Sequence, residues 1–214
     1  MTKIVEKQIK KAKTLEKKIE QFGDLLENLT ETEDKKKMLW REAYENALND
    51  RESASFLQPW EPTWAEDHLA RKAFTNRVFW AERSYKSDAA LALFLIRRED
   101  QALLGALTLD NIRRGPSQAG TIGYWIGARY ARQGHMKEAI AGMVHHAFSR
   151  MDLSRIEAAC LPENVASRGA LEKAGFKYEG VAQSYLQING RWRNHVLYSA
   201  LRHDRRGPTT VGLA

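Results

Sequence analysis

One stretch limits what this chain can fold into more than any other: GTIGYWIGARYARQGHMKEAIAGMVHHAFSRM, residues 120–151. An apolar run, TIGYWIGA, passes through a short basic turn holding one glycine, Gly134, and enters a helix from about Gly134 to Met151. Met136, Ile140, Met143, Ala147 and Met151 recur at helical spacing and give that helix a single apolar stripe. A strand that feeds a helix in this way is half of a crossover, which returns to a parallel neighbour in the same sheet. The turn also has a chemical consequence. The first four N–H groups of a helix lack intrahelical partners, and the helix dipole adds about half a positive charge at that end. Gly134 lets a ligand approach the backbone, and Arg132 and Lys137 add full charges, so a pyrophosphate would fit. An ordinary basic helix start with a turn glycine would carry the same residues.

Around this unit the pattern is regular. Upstream, AALALFLIRREDQALLGALTLDNI holds two β runs flanking Glu99, Asp100 and Gln101, which predicts an antiparallel hairpin. Before it, residues 66–86 read as a helix with Leu69, Ala73, Phe74, Val78 and Ala81 on recurring faces. Downstream come a strand, RIEAACL, a helix, NVASRGALEKA, and a hairpin, AQSYLQINGRWRNHVLYSAL, turning at Asn189-Gly190. The order predicts an α+β fold: a mixed sheet flanked by helices, with one parallel pair at the crossover.

The first fifty residues differ in character. Ala12, Leu15, Ile19, Phe22, Leu26 and Leu29 follow the three-four spacing of a coiled-coil seam, and Thr30 with Glu33 forms a capping box that opens a second helix. FLQPWEPTW, with two prolines and two tryptophans, ends that helical pattern. The expected organisation is therefore a helical hairpin at 1–53, a main domain at 54–206 and a flexible tail at 207–214. The seam offers a surface for a homo-oligomer, although a solvated helical extension would look the same.

Composition bounds the rest. A chain of 214 residues with 43% hydrophobic content can bury one good core. No apolar run approaches the roughly 20 residues that cross a bilayer, and the single cysteine, Cys160, lies in an apolar strand. A soluble, cytoplasmic protein without disulfides or membrane contact is expected. Residues 1–53 hold 12 of the 34 Lys+Arg and 12 of the 27 Asp+Glu, so the formal +7 falls entirely on residues 54–214. That field favours anionic partners. The basic residues form no continuous stripe, so direct nucleic-acid binding is not expected. His145 and His146 are adjacent on a helix, about 100° apart around it, and cannot share a metal.

The segment LPENVASRGALEKAGFKYEG starts a helix at Asn164, places Ser167 three residues later, and ends at Gly175, where a left-handed residue closes the helix. Plain capping by Asn164 explains as much. In series, however, ARQGHMKEA, NVASRGALEKAGFKYEG and YLQINGRWRNHVLYSAL resemble the GNAT superfamily of acetyl-CoA-dependent N-acetyltransferases. FLQPWEP and INGRWRNHVLYS are similar to the ribosomal-protein-alanine N-acetyltransferases of the RimJ and RimL type, and the likeness spans roughly residues 55–203.

This resemblance implies the GNAT fold and a set of roles. The run Ala131, Arg132, Gln133, Gly134, His135, Met136, with Lys137, would hold the pyrophosphate of coenzyme A, mainly through main-chain N–H groups. Ala131 and Met136 depart from the family's pattern at its two outer positions. Tyr124, Trp125, Ile126 and Gly127 would lie on a strand that splays from its parallel neighbour and pairs with the pantetheine arm. Asn164 would bind the cofactor through its amide. Ser167 would contact the sulfur, with Tyr124 as a possible acid. The family's usual first strand is not visible at the amino end.

The implied reaction is direct attack of an amine on acetyl-CoA, the amine being the N-terminal α-amino group of a protein, with ribosomal proteins as the acceptor class that the resemblance implies. A terminal amine, with a pKa of about 8, loses its proton far more readily at neutral pH than lysine, at about 10.4. Glu163 and Asp110 are carboxylates that could act as base, and the sequence does not choose between them. Trp192, Tyr185 and Tyr198 could line a peptide groove or fill the core. Two other readings stay open: a small-molecule amine as acceptor, or a non-catalytic assembly module built on the helical hairpin.

Overall fold

The structure, a computed structural model, describes residues 51–204. The coiled-coil seam from Ala12 to Leu29, the helix opened at Thr30 and the tail at 207–214 lie outside the described residues. Helix α1 is Arg51–Leu57 and runs into a short 3-10 turn, Gln58–Trp60, at the proline. α2 is Arg71–Lys86, β1 Leu91–Ile96, β2 Leu103–Arg113 and β3 Ala119–Ile126. A 3-10 turn, Ala128–Tyr130, leads to α3, His135–Ser149, then β4, Arg155–Cys160, α4, Val165–Lys173, β5, Lys177–Ile188, and β6, Arg191–Leu201.

The six strands form one sheet in the order β1-β2-β3-β4-β6-β5. Only β3 and β4 pair in parallel, which is the crossover that the strand–turn–helix unit requires. Both expected hairpins are present. The second turns at Asn189 (φ 45) and Gly190 (φ 75), two left-handed residues in a row, which is the geometry that matches strand twist.

Helix stripes divide the sheet's two faces. Met136, Ile140, Met143 and Ala147 of α3 and Leu171 of α4 pack on Leu107, Leu109, Ile122, Ile156, Ala158, Val196 and Tyr198, forming the main core. Full burial of a leucine or isoleucine there contributes about 1.5–3 kcal/mol. On the other face Leu57, Phe74 and Leu103 form a smaller cluster, against which Trp64, Leu69, Val78, Phe94 and Trp125 pack. FLQPWEPTW thus joins α1 to this second layer. Among the described residues no helix is long and apolar enough to cross a membrane, and no group of His, Cys, Asp and Glu could hold a metal.

Candidate active site

β3 and β4 are held by different neighbours, and this opens a gap between them. β3 stays in register with β2 up to Ile126, and β4 with β6 up to Cys160. They pair with each other only at Ala119–Arg155, Gly120–Ile156 and Thr121–Glu157. Gly127 donates its N–H to Leu104 O at 2.8 Å, on the β2 side. Backbone groups alternate along a strand, so those of Trp125 and Gly127 face β2, while those of Ile122, Tyr124 and Ile126 face the gap. A strand edge left open in this way can accept an extended ligand as though it were another strand.

A cradle of main chain closes one end of the gap. Arg132 (φ 61) and Gly134 (φ 90) are both left-handed, which turns the chain sharply into α3. Gly134 caps the helix without a side-chain hydrogen bond, and the first helical bond runs from Glu138 N to Gly134 O at 3.1 Å. The N–H groups of His135, Met136 and Lys137 therefore have no backbone acceptor among the described residues. A Cβ built on Gly134 would meet nothing within 4 Å, so the approach is open. Arg132, Gln133 and Lys137 are exposed, whereas the Met136 side chain is buried in the main core.

Two braces hold this turn. Gln133 Nε2 donates to Arg129 O at 2.7 Å, which commits the glutamine side chain to the turn itself. Ser53 Oγ, buried on α1, accepts the N–H of Ala128 at 3.2 Å, immediately after β3. By sequence pattern Ser53 belongs to the helical extension at 1–53. Here it supports the start of the cradle.

Beneath the gap lies a hydroxyl pair. Tyr124 Oη and Ser167 Oγ are 2.7 Å apart, and Tyr124 Oη also donates to Ser167 O at 3.3 Å. Asn164 caps α4 with Oδ1, which accepts the Ser167 N–H at 3.0 Å, so the asparagine fixes the serine's position. Burial pushes the Tyr124 phenol well above its ordinary range, against a hydrogen bond from Ser167 that pulls it down. Cys160, buried on β4, is a third member. Burial raises its thiol pKa, opposed by a hydrogen bond with the Ser167 side chain. Its apolar setting in the sequence concealed this contact.

The carboxylates are engaged elsewhere. Glu163 pairs with Arg193, tying the loop after β4 to β6. Asp110 stands opposite Thr121 at the paired end of β3, accepts from Asn111 Nδ2 at 3.3 Å, and has its pKa raised by burial. The three aromatics separate: Tyr198 is fully buried, bonded to Arg168 and Glu172, while Tyr185 is exposed and Trp192 is 65% exposed.

The site is thus a gap between parallel strands with an uncapped helix start at one end and a half-buried hydroxyl pair below it. A family model described as Acetyltransferase (GNAT) domain matches residues 26–177. This chain belongs to the GNAT acetyltransferase family. The match reaches back to residue 26, into the stretch whose helical pattern differs from the main domain. The acetyltransferase is 32% identical over 164 residues to the [Ribosomal protein uS5]-alanine N-acetyltransferase of Escherichia coli, covering 77% of this chain and 84% of that one. The ribosomal-protein-S5-alanine acetyltransferase of Vibrio fischeri superposes with a TM-score of 0.70 at 29% identity, over 77% of this chain and 90% of its own. RimJ of Mycobacterium smegmatis, solved in complex with CoA-disulfide, superposes with a TM-score of 0.69 at 28% identity, over 76% and 77% of the two chains.

Proposed function

We propose that this GNAT acetyltransferase moves the acetyl group of acetyl-CoA onto the N-terminal α-amino group of a protein, with ribosomal proteins as the acceptor class. The observation that carries the reading is the opened β3–β4 edge, which runs from an uncapped helix start to a half-buried hydroxyl pair. An extended, anionic, thiol-terminated molecule is complementary to each part. The N–H groups from Gln133 to Lys137 receive its pyrophosphate, with Arg132 and Lys137 adding charge. The gap-facing backbone of Tyr124 and Ile126 pairs with its amide-bearing arm, while Trp125 and Gly127 shape the strand from behind. Asn164, whose Oδ1 is spent on Ser167, keeps its amide N–H groups for the arm.

Ser167 and Tyr124 then meet the sulfur. As the amine nitrogen bonds to the acetyl carbon and the carbon–sulfur bond breaks, negative charge collects on the thiolate. An alkyl thiol such as cysteine's titrates at about 8.5, well below a phenol at about 10, and burial raises Tyr124 further. Net proton transfer from Tyr124 to the thiolate would therefore run uphill. The pair stabilises the thiolate by hydrogen-bond donation, and the proton that completes the thiol comes from solvent.

The α-amine is the acceptor that such a site can use at neutral pH with the least help. Ribosomal acceptors are the substrates named for the Escherichia coli and Vibrio relatives, which supports a cytoplasmic location. Association of copies through Ala12–Leu29 belongs to the same proposal, and light scattering with and without residues 1–29 reads it. The main test is mass spectrometry of terminal peptides after incubating the full chain with acetyl-CoA and a panel of alanine-started peptides. Acetylation at the α-amine is the expected result, and modification at lysine alone overturns the reading.

A further inference from the structure

We infer that His195 is the catalytic base of this enzyme, taking the proton of the acceptor amine at Nε2. The inference rests on the proposed reaction, which requires a proton acceptor that neither Glu163 nor Asp110 supplies: one is ion-paired with Arg193, and the other lies at the paired end of β3.

His195 is 3% exposed. Its Nδ1 lies 3.1 Å from Arg193 O, and a carbonyl only accepts, so Nδ1 carries the hydrogen. That bond fixes the tautomer. Nε2 keeps a lone pair and has no hydrogen-bond partner among the described residues. An imidazole held in this tautomer keeps Nε2 as its basic nitrogen, free to accept a proton. The ring is further held by Tyr185, whose centroid is 5.5 Å away and tilted by 59°. The Glu163–Arg193 pair anchors the residue whose carbonyl sets the tautomer.

Position agrees with this role. Val196 pairs with Cys160, the last residue of β4, so His195 stands one row beyond the end of that strand, next to the gap. Val196, Tyr198 and Ala200 face the main core with Tyr124, and strand alternation turns His195 to the opposite face, that of Trp125. The core under α3 and α4 closes the first face. An amine must therefore reach the gap from the second, where Tyr185, beside the His195 ring, is exposed. Base and thiolate donors thus occupy opposite faces of one opening. In the step, the nitrogen–carbon bond forms, the carbon–sulfur bond breaks, the amine proton passes to His195 Nε2, and the thiolate takes a proton from solvent. His195 returns its own to solvent, so acetyl-CoA and amine give acetylated amine and free thiol.

The test compares the full chain with His195→Asn, whose amide keeps a donor near Nδ1, and with His195→Gly, using acetyl-CoA and an alanine-started peptide. A general base contributes typically 10²–10⁴-fold, so kcat of His195→Asn should fall by at least ~10² while acetyl-CoA affinity by calorimetry stays within about threefold. Added imidazole should restore part of the turnover of His195→Gly. A His195→Asn kcat within about threefold of wild type, or a parallel loss of acetyl-CoA affinity, overturns the proposal. Should His195→Asn fail to fold, His195→Gln is judged by the same pair of readings. A wild type that acetylates some other amine refutes the α-amine acceptor alone, and His195 is then judged on that amine. One that acetylates none refutes both.

Discussion

β3 and β4 run side by side for three residue pairs and then part, and the two ends of this one strand pair work by different physics. At the closed end, charge does the holding. Arg113 Nη2 meets Glu157 at 2.6 Å, Arg155 Nε meets the same carboxylate at 2.8 Å, and Arg155 also pairs with Glu179, which accepts from the buried Ser199 Oγ at 2.6 Å. At the open end, the backbone is left free, helix N–H groups are uncapped, and a half-buried pair of hydroxyls lies beneath. A closed end fixes where the strands begin to separate, and an open end is usable only because that position does not drift. The comparison predicts that side-chain changes act on turnover under the gap, on cofactor affinity at the cradle and on stability at the closed end.

The largest effect should come from the hydroxyl pair. Ser167→Ala or Tyr124→Phe removes one donor aimed at charge that develops only during reaction, and loss of such a donor costs about 10²–10³ in kcat. Because the interaction forms late, acetyl-CoA affinity should change less than about threefold. Steady-state kinetics beside calorimetry decides it. Equal losses in both would make Ser167 a positioning residue for α4, as its bond to Asn164 also allows.

The cradle should respond next, and through affinity. Gly134 has φ 90, where an L-residue pays about 1–2 kcal/mol, although a Cβ meets no neighbour. Gly134→Ala therefore either strains the turn or relaxes it away from the geometry that aims three N–H groups outward. Acetyl-CoA should bind roughly tenfold more weakly, with kcat at saturation nearly unchanged. Calorimetry showing unaltered affinity would separate the cradle from the cofactor site.

How much of this was legible in the sequence follows the range of each interaction. The α3 stripe from Met136 to Ala147, the Asn189-Gly190 turn and the crossover were readable because period and turn chemistry are local. Asn164 and Ser167 stood out for the same reason, three residues apart at a helix start. Ser53 on Ala128 did not, because its partner is distant in the chain and the proline-rich run after it resembled a border. The Cys160 contact with Ser167 and the Glu163–Arg193 pair likewise join residues that no periodicity relates. Met136 stands in both the apolar stripe and the basic turn of the sequence; its side chain belongs to the core, leaving its N–H alone to the cradle.

The closed end offers a pH test of about 1 kcal/mol or less, given that Glu157 is only partly buried. Burial pushes its carboxyl up, but hydrogen bonds from Arg155 and Arg113 more than offset this, so its pKa lies below the usual value. A carboxylate depressed in the folded state adds stability that is fully present above its unfolded pKa, about 4.3, and is lost as pH falls through the folded value. Glu157→Gln should therefore be less stable than wild type at pH 7, and the two unfolding curves should converge toward pH 3. Curves that stay parallel over that range would remove the ion network from the account of why the strands part where they do.

The smallest effect is expected at Arg132. Its guanidinium is exposed, its contribution to an anion is screened by salt, and such surface charges are worth about 0–1 kcal/mol. If main-chain N–H groups hold the pyrophosphate, Arg132→Ala should weaken acetyl-CoA binding by no more than about threefold at 0.15 M salt, and the difference should shrink further at 0.5 M. The substitution carries one complication, because Arg132 has φ 61 and alanine tolerates that region no better than arginine, so backbone strain is nearly the same before and after. That makes the variant a clean measure of charge alone. A loss as large as that of Gly134→Ala would mean that the cradle binds by side-chain charge, and the open end would then depend on charge as the closed end does.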